Sequence, residues 1–390
     1  MIPYGRQDIS AADIAAVVEV LQSDWITQGE MVPRFEAAVA AYCGAKHAVA
    51  VNSATSALHI ACLALGVGAG DWVWTSPNTF VASANAALYC GAQVDFVDID
   101  DKSYNLSVAA LEEKLRRADA EGRLPKVVIP VHFAGQSCEM AAIHRLAQQY
   151  GFRIIEDASH AIGGCYQQQQ IGGGQYSDIT IFSFHPVKII TTGEGGMALT
   201  NSAAIANLMQ RYRSHGITSD RAEMASRPED EIWNYQQIRL GFNYRMNDFQ
   251  AALGLSQLQR IDAFVARRRE IAARYENEFA DLPIITPWQH QDSASSYHLY
   301  PVRVRESRCG INQKTFYARM LQQALLVNLH YIPVYLQPYY QKMGFQPGYC
   351  PVSEGYYRET MSLPIYPRLT EDEQSQVITA VREMMPNSLC

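Results

Sequence analysis

The eight cysteines of this 390-residue chain include no C-x-x-C pair and no histidine at zinc-site spacing, so neither a structural zinc nor a dithiol redox centre is expected. Reduced thiols in a cytoplasm fit such usage. A run of about 18 uninterrupted apolar residues, the minimum for a membrane-spanning helix, is also missing. The opening Met1-Ile2-Pro3-Tyr4-Gly5-Arg6 lacks the charged and apolar regions of a signal peptide. Basic residues are outnumbered, 32 Lys and Arg against 39 Asp and Glu, for a formal charge of −7. That balance gives no electrostatic footing for nucleic acid. The densest basic run, Arg267-Arg268-Arg269, reads as the solvated face of a helix over 262–279. No repeat or low-complexity segment stands out, and Gln167 to Gln170 is long enough only for a loop.

What is present is an ordinary globular balance, 48% hydrophobic and 18% charged, in a chain long enough for about two domains. Ser10 and Asp13 precede Ile14, Val17, Val18 and Leu21 at helical spacing, the pattern of a capped amphipathic helix behind a short arm. From residue 47 onward apolar runs at 47–51, 72–75, 94–97, 127–131, 152–156, 179–184 and 197–200 alternate with helical patterns at 55–65, 81–89, 107–118 and 140–150. Several runs are apolar throughout, as strands covered on both faces are. The alternation predicts an α/β fold with a mainly parallel central sheet. Beyond about residue 250 the pattern changes to long helices at 248–258 and 263–282, a strand-like run at 300–304, a proline and tyrosine cluster at 331–340 and a final helix at 371–385. A large domain over 1–250 and a smaller α+β domain over 251–390 are expected.

Three patterns carry chemistry. Lys188 stands between the apolar run ending at Ser183 and the glycine-rich Thr191-Thr192-Gly193-Glu194-Gly195-Gly196, flanked by Val187, Ile189 and Ile190. An amine among apolar neighbours is neutral part of the time and can bond to an aldehyde. Asp157 ends the run Ile154-Ile155-Glu156 and offers a carboxylate to a pyridine nitrogen; taken alone, it reads better as a helix cap. Ala54 and Thr55, with Ser56, open a helix whose N–H groups and hydroxyls suit a phosphate, and Ser183 adds a hydroxyl. Together these suggest pyridoxal phosphate (PLP). Phe80 is a candidate to stack on its ring, although most such phenylalanines are core, while His160 and His185 singly read as structural histidines.

The ordered set Asn52-Ser53-Ala54-Thr55-Ser56-Ala57-Leu58, Glu156-Asp157-Ala158-Ser159-His160-Ala161, Ser183-Phe184-His185-Pro186-Val187-Lys188 and Leu240-Gly241-Phe242-Asn243-Tyr244-Arg245-Met246-Asn247-Asp248 resembles the DegT/DnrJ/EryC1/StrS family of PLP-dependent sugar aminotransferases. The resemblance runs from about residue 3 to the last helix. It implies the PLP-dependent transferase fold of type I, like that of aspartate aminotransferase. It further implies that Lys188 holds the cofactor aldehyde and moves protons, Asp157 pairs with the ring nitrogen, Ser183 and Thr55 hold phosphate, Phe80 stacks on the ring and His160 lies beside it. Asn243 would reach the phosphate of a neighbouring subunit, making a homodimer with shared active sites. Three further stretches, 75–85, 130–137 and 182–196, are most similar to members that use L-glutamate to aminate C4 of a UDP-linked 4-keto-6-deoxy-N-acetylhexosamine for pseudaminic acid synthesis. Other nucleotide-linked keto sugars, aminated at C3 or C4, are the alternative acceptors. His185, His330, Tyr331 and Tyr335 are candidates for the sugar, and Arg245 for the glutamate side-chain carboxylate. The chain departs from the family at Tyr335, where many relatives have histidine, and at Ala54, where glycine is common. A family dehydratase would replace the lysine or add an iron–sulfur cluster; this chain keeps Lys188 and has no clustered cysteines.

Overall fold

The computed structural model describes residues 1–226, 231 and 233–385. The seven apolar runs become one sheet: β1 (His47–Val51), β2 (Trp72–Thr75), β3 (Gln93–Phe96), β4 (Val127–Ile129), β5 (Arg153–Asp157), β6 (Ile179–Ser183) and β7 (Gly196–Thr200), in the order β1-β7-β6-β5-β4-β2-β3. Every pairing is parallel except those of β7, which runs antiparallel to both β1 and β6. β4, β6 and β7 are buried at every residue, because helices lie on both faces. On one face sit the helices Ala54–Ala64 and Ala82–Tyr89, whose apolar residues share a core with Val49, Val73, Ile155 and Ile181. On the other face, Met31–Cys43 and the start of Ile261–Phe279 pack with Ala50, Phe182 and Met197.

A second core gathers Ile271, Tyr275 and Phe279 from the far end of Ile261–Phe279, the antiparallel strands Tyr300–Arg303 and Thr360–Leu363, and the helices Gln313–Gln322 and Glu371–Met384. That one helix thus has its first turns in one core and its last in the other. The first residues of the chain also enter this second core: strand Ile2–Pro3 pairs in parallel with Leu325–Leu326, and Ile2 is buried. The expected cap at the first long helix is present, with Ser10 accepting from the N–H of Asp13 at 3.2 Å and Asp13 accepting from the N–H of Ser10 at 2.8 Å.

One expectation is overturned here. Arg268 is not on a solvated face: it is 1% exposed, and its guanidinium donates to the carbonyls of Tyr297, His298 and Ile365 at 3.2, 3.3 and 2.9 Å. Position 268 is on the same helical stripe as Phe264, Val265 and Ile271, so the helix buries it whatever its charge. Among the described residues no helix is long and apolar enough to cross a membrane.

Candidate active site

The site lies where the parallel strands end. Asp157 closes β5, Ser183 closes β6, and β1 runs into Asn52 and Ser53. Because β7 runs the opposite way, its first residue, Gly196, falls at the same edge, in register with both Val51 and Ser183. The loop between β6 and β7 carries Lys188. It is pinned by the N–H of Phe184 donating to Gly195 O at 2.9 Å and that of Thr192 to Phe184 O at 3.0 Å, while Ile189 and Ile190 are buried beneath it. Gly193 takes a positive φ of 79° in the turn, which explains a glycine there. Gly196 answers a different need, since a Cβ on it would collide with the backbone of Ser53 and Ala54.

These edges line a cavity of about 790 Å³, within the usual range for small-molecule sites. Lys188 faces it, with burial lowering its amine pKa to about 8 against the opposing pull of the Asp157 charge. Asp157 is buried at the wall and accepts from Ser83 Oγ at 2.6 Å and from the N–H of Ser159 at 3.1 Å. Ser83 has only one proton and gives it to the carboxylate. Its 2.8 Å contact with Thr79 Oγ1 is therefore a donation from Thr79. Neither Thr79 nor Ser83 was singled out by the sequence, although their spacing of four at a helix start puts both on one face.

The phosphate end is equally legible in hydrogen bonds. Ser53 caps the helix Ala54–Ala64 by accepting from the N–H of Ser56 at 3.1 Å, and Ser56 Oγ donates to Asn52 Oδ1 at 2.7 Å. Ser56 is thereby committed internally. Among the described residues no acceptor takes the N–H of Ala54 or Thr55, and both residues line the cavity with Ser183. Two free helix-start donors at one end, a buried carboxylate at the other and an amine of lowered pKa along the wall are the donor set that PLP requires. Phe80 is 60% exposed and His185 is exposed, and both line the same cavity.

Three histidines complete the wall. His160 Nδ1 accepts from the N–H of Ala134 at 3.3 Å, so the neutral ring carries its proton on Nε2, 3.2 Å from the Tyr331 hydroxyl. His298 packs against His160 with ring centroids 4.4 Å apart and planes tilted by 46°, and lines the cavity. His330 bonds Ser362 Oγ through Nδ1 at 2.8 Å, with Asn328 Nδ2 3.4 Å from Nε2. Burial, reinforced by neighbouring positive charge, lowers all three: His160 and His298 well below the ordinary histidine value, His330 to about 3. They face the cavity as neutral groups.

The remaining candidates lie elsewhere. Tyr335 is fully buried in the core over the sheet, where its hydroxyl donates to Glu354 Oε1 at 2.6 Å; the structure does not bring it to the cavity. Asn243 and Arg245 line a separate cleft of about 620 Å³ that shares Ser53 and Glu194 with the main one, and Asn243 is exposed. Tyr4, Asn328, His298 and Gln337 join the lining without having been expected there.

Comparison with known proteins supplies the context for this geometry. The DegT/DnrJ/EryC1/StrS aminotransferase family matches residues 7–382. The spore coat polysaccharide biosynthesis protein SpsC of Bacillus subtilis is 40% identical over 98% of this chain and 97% of its own length. Among solved structures, the Helicobacter pylori aminotransferase PseC, involved in the biosynthesis of pseudoaminic acid, superposes with a TM-score of 0.89 at 30% identity, covering 98% of this chain and 99% of its own. The PLP form of the putative sugar aminotransferase Spr1654 of Streptococcus pneumoniae superposes at 0.87 with 28% identity, covering 99% of this chain and 100% of its own. The chain belongs to the DegT/DnrJ/EryC1/StrS aminotransferase family: it has the type I fold of PLP-dependent aminotransferases and is a PLP-dependent nucleotide-sugar aminotransferase.

Proposed function

We propose that the enzyme transfers the amino group of L-glutamate to C4 of a UDP-linked 4-keto-6-deoxy-N-acetylhexosamine, UDP-2-acetamido-2,6-dideoxy-β-L-arabino-hex-4-ulose, in cytoplasmic pseudaminic acid synthesis. The observation that carries the chemistry is the grouping of Lys188, Asp157 and the free N–H groups of Ala54 and Thr55 on one cavity. The likeness to PseC over nearly the whole of both chains supports the choice of acceptor.

When bound, PLP supplies an aldehyde that takes up an amine and a ring that draws electrons from the carbon next to it. The side chains supply the rest. Lys188 would hold the aldehyde at rest and, once free, would remove the Cα proton of glutamate and in the second half deliver a proton to C4 of the sugar. A lysine pKa lowered to about 8 suits an amine that must both accept and give at neutral pH. Asp157 keeps the ring nitrogen protonated. The Ala54 and Thr55 N–H groups, with the Thr55 and Ser183 hydroxyls, hold the phosphate, and Phe80 covers a face of the ring. His160 holds the Tyr331 hydroxyl toward the substrate, and His185 and His330 border the sugar. The net change converts glutamate and ketone to 2-oxoglutarate and amino sugar.

A second copy of the chain belongs in this reading. Lys188 is the one lysine or arginine among the described residues lining the cavity, yet a phosphate and the two carboxylates of glutamate must be held. Asn243 of the partner subunit would meet the phosphate and Arg245 a donor carboxylate, each from the exposed cleft beside Ser53. Visible absorption tests the whole reading. With PLP the protein should gain a yellow band that bleaches with L-glutamate and returns with the UDP-4-keto sugar. Bleaching without return would keep the aminotransferase and overturn the acceptor; absence of any band would overturn the site.

A further inference from the structure

The helix whose first N–H groups face the phosphate end carries a buried histidine one turn further on. His59 follows Thr55 by four residues, so the two share a side of Ala54–Ala64, and His59 is 5% exposed. It does not line the cavity. Its ring packs instead against Phe242, Tyr89 and Tyr244, with centroids 4.7, 5.5 and 5.9 Å away. Its Nδ1 lies 3.2 Å from the Tyr244 hydroxyl, within reach of a hydrogen bond.

Phe242 and Tyr244 are the neighbours of Asn243. Asn243 forms an antiparallel bridge with Ser214, and the N–H groups of Phe242 and Tyr244 donate to Tyr212 O at 2.7 Å and Arg213 O at 3.0 Å. In a segment held in this way, successive side chains point to opposite sides. Phe242 and Tyr244 accordingly stack on each other, with centroids 4.9 Å and planes 12° apart, and are half-buried, whereas Asn243 is exposed. The N–H of Asn52 donates to Tyr244 O at 2.9 Å, which ties the segment to the end of β1 beside the capping Ser53. What holds the two rings therefore decides where Asn243 stands. On the side-chain side, that is His59.

Resting on the reading in which two copies of the chain share their active sites, we infer that His59 is a positioning residue that acts across the subunit boundary. Through Tyr244 it holds Asn243 for the phosphate bound by the partner subunit, and it leaves the phosphate contacts of its own chain unchanged.

Mixed dimers test this, with PLP binding as the readout. Two differently tagged chains are coexpressed, one carrying Lys188→Ala, so that the yellow lysine-bound band reports only the site of the chain that keeps Lys188. With His59→Phe on the Lys188→Ala chain, the reporting site should bind PLP about fivefold more weakly, the effect of one lost hydrogen bond. With His59→Phe on the reporting chain itself, binding should stay within about twofold of wild type, since no phosphate donor has been moved. Tyr244→Phe should repeat both results, and the two substitutions together on one chain should add nothing to either alone. Weakening confined to the site of the chain that carries His59→Phe overturns the inference. So does equal weakening in both arrangements, which would mark His59 as support for its helix alone. Asn243→Ala on the Lys188→Ala chain, expected to weaken the reporting site at least about tenfold, separates the two kinds of failure. If it does so and His59→Phe does not, the inference alone falls; if it does not, or if no mixed dimer forms, the shared-site reading falls and the inference with it.

Discussion

The hydroxyl of Tyr331 lies 3.2 Å from Nε2 of His160, and the direction of that bond is set from the far side of the imidazole by the Ala134 N–H, which occupies Nδ1. His160 must donate, so Tyr331 receives and keeps its own proton. The histidine acts through the tyrosine, which alone has a donor left to give. Tyr331→Phe should therefore lower kcat/KM by about tenfold through loss of one hydrogen bond to the reacting partners, and His160→Gln should lose as much only where the glutamine amide fails to restore donation. Steady-state kinetics of the two variants and of their double mutant check this; additive losses would show that the two residues do not act as one unit.

Lys188 titrates in a useful range. Burial disfavours its charged form, bringing the amine to about 8. Only the neutral amine bonds to an aldehyde. Below pH 8 the rate of PLP incorporation into apoprotein should fall about tenfold per pH unit, and above it the rate should level off. Stopped-flow absorption between pH 6 and about 9.5 reads this directly. Lys188→Ala should give no lysine-bound band at any pH while remaining folded.

Ser83 and Thr79 hold the Asp157 carboxylate in line, Thr79 donating to Ser83 and Ser83 to the carboxylate. Ser83→Ala leaves both Asp157 Oδ2 and Thr79 without their partner in a buried place and should cost about 1–3 kcal/mol of stability. Its kcat should fall far less than that of Asp157→Asn, which cannot hold the charged ring nitrogen and should lose at least about 100-fold. Urea denaturation and kcat on the same preparations separate the two effects.

Much of the sheet could be read from the sequence because strands covered on both faces are largely apolar, as in Val127 to Ile129, and a helix-start pattern such as Ser53-Ala54-Thr55 is local. Asp157 stood out by closing an apolar run, and Lys188 by its apolar flanks Val187, Ile189 and Ile190 in the loop after Ser183. What escaped depends on tertiary meetings. Arg268 looks like one of three surface charges until Tyr297, His298 and Ile365 turn their carbonyls to it. Tyr4 is more than 300 positions from His330 in sequence, and only the short parallel pairing of Ile2–Pro3 with Leu325–Leu326 joins them. Tyr335 does not line the cavity because Glu354, 19 positions later, takes its hydroxyl into the core.

That buried arginine makes its own prediction. Arg268→Met matches much of the volume and removes the charge, but strands three carbonyls that the guanidinium now satisfies. A loss of about 2–5 kcal/mol is expected, measured by urea denaturation. Because one of those carbonyls belongs to His298, which packs against His160, the variant should also show altered pH dependence of kcat, whereas destabilisation alone would leave the profile in place.

Gly193 in the lysine loop and Gly196 at the start of β7 should fail differently when each is given a methyl group. At Gly193 the φ of 79° is unfavourable for alanine, but nothing lies within 4 Å of the added Cβ. The cost is conformational, about 1–2 kcal/mol, and the cofactor site stays intact. At Gly196 the added Cβ would run into the backbone of Ser53 and Ala54. Strand β7 or the start of the helix Ala54–Ala64 must then move, taking the free N–H groups of Ala54 and Thr55 with it. Gly196→Ala should therefore weaken PLP binding by at least about tenfold through misplaced donors, while Gly193→Ala binds as wild type does. Titration of each apoprotein with PLP, followed by absorption, decides between them; equal weakening in both would mean that loop conformation, rather than the approach of β7 to the helix start, governs the phosphate end.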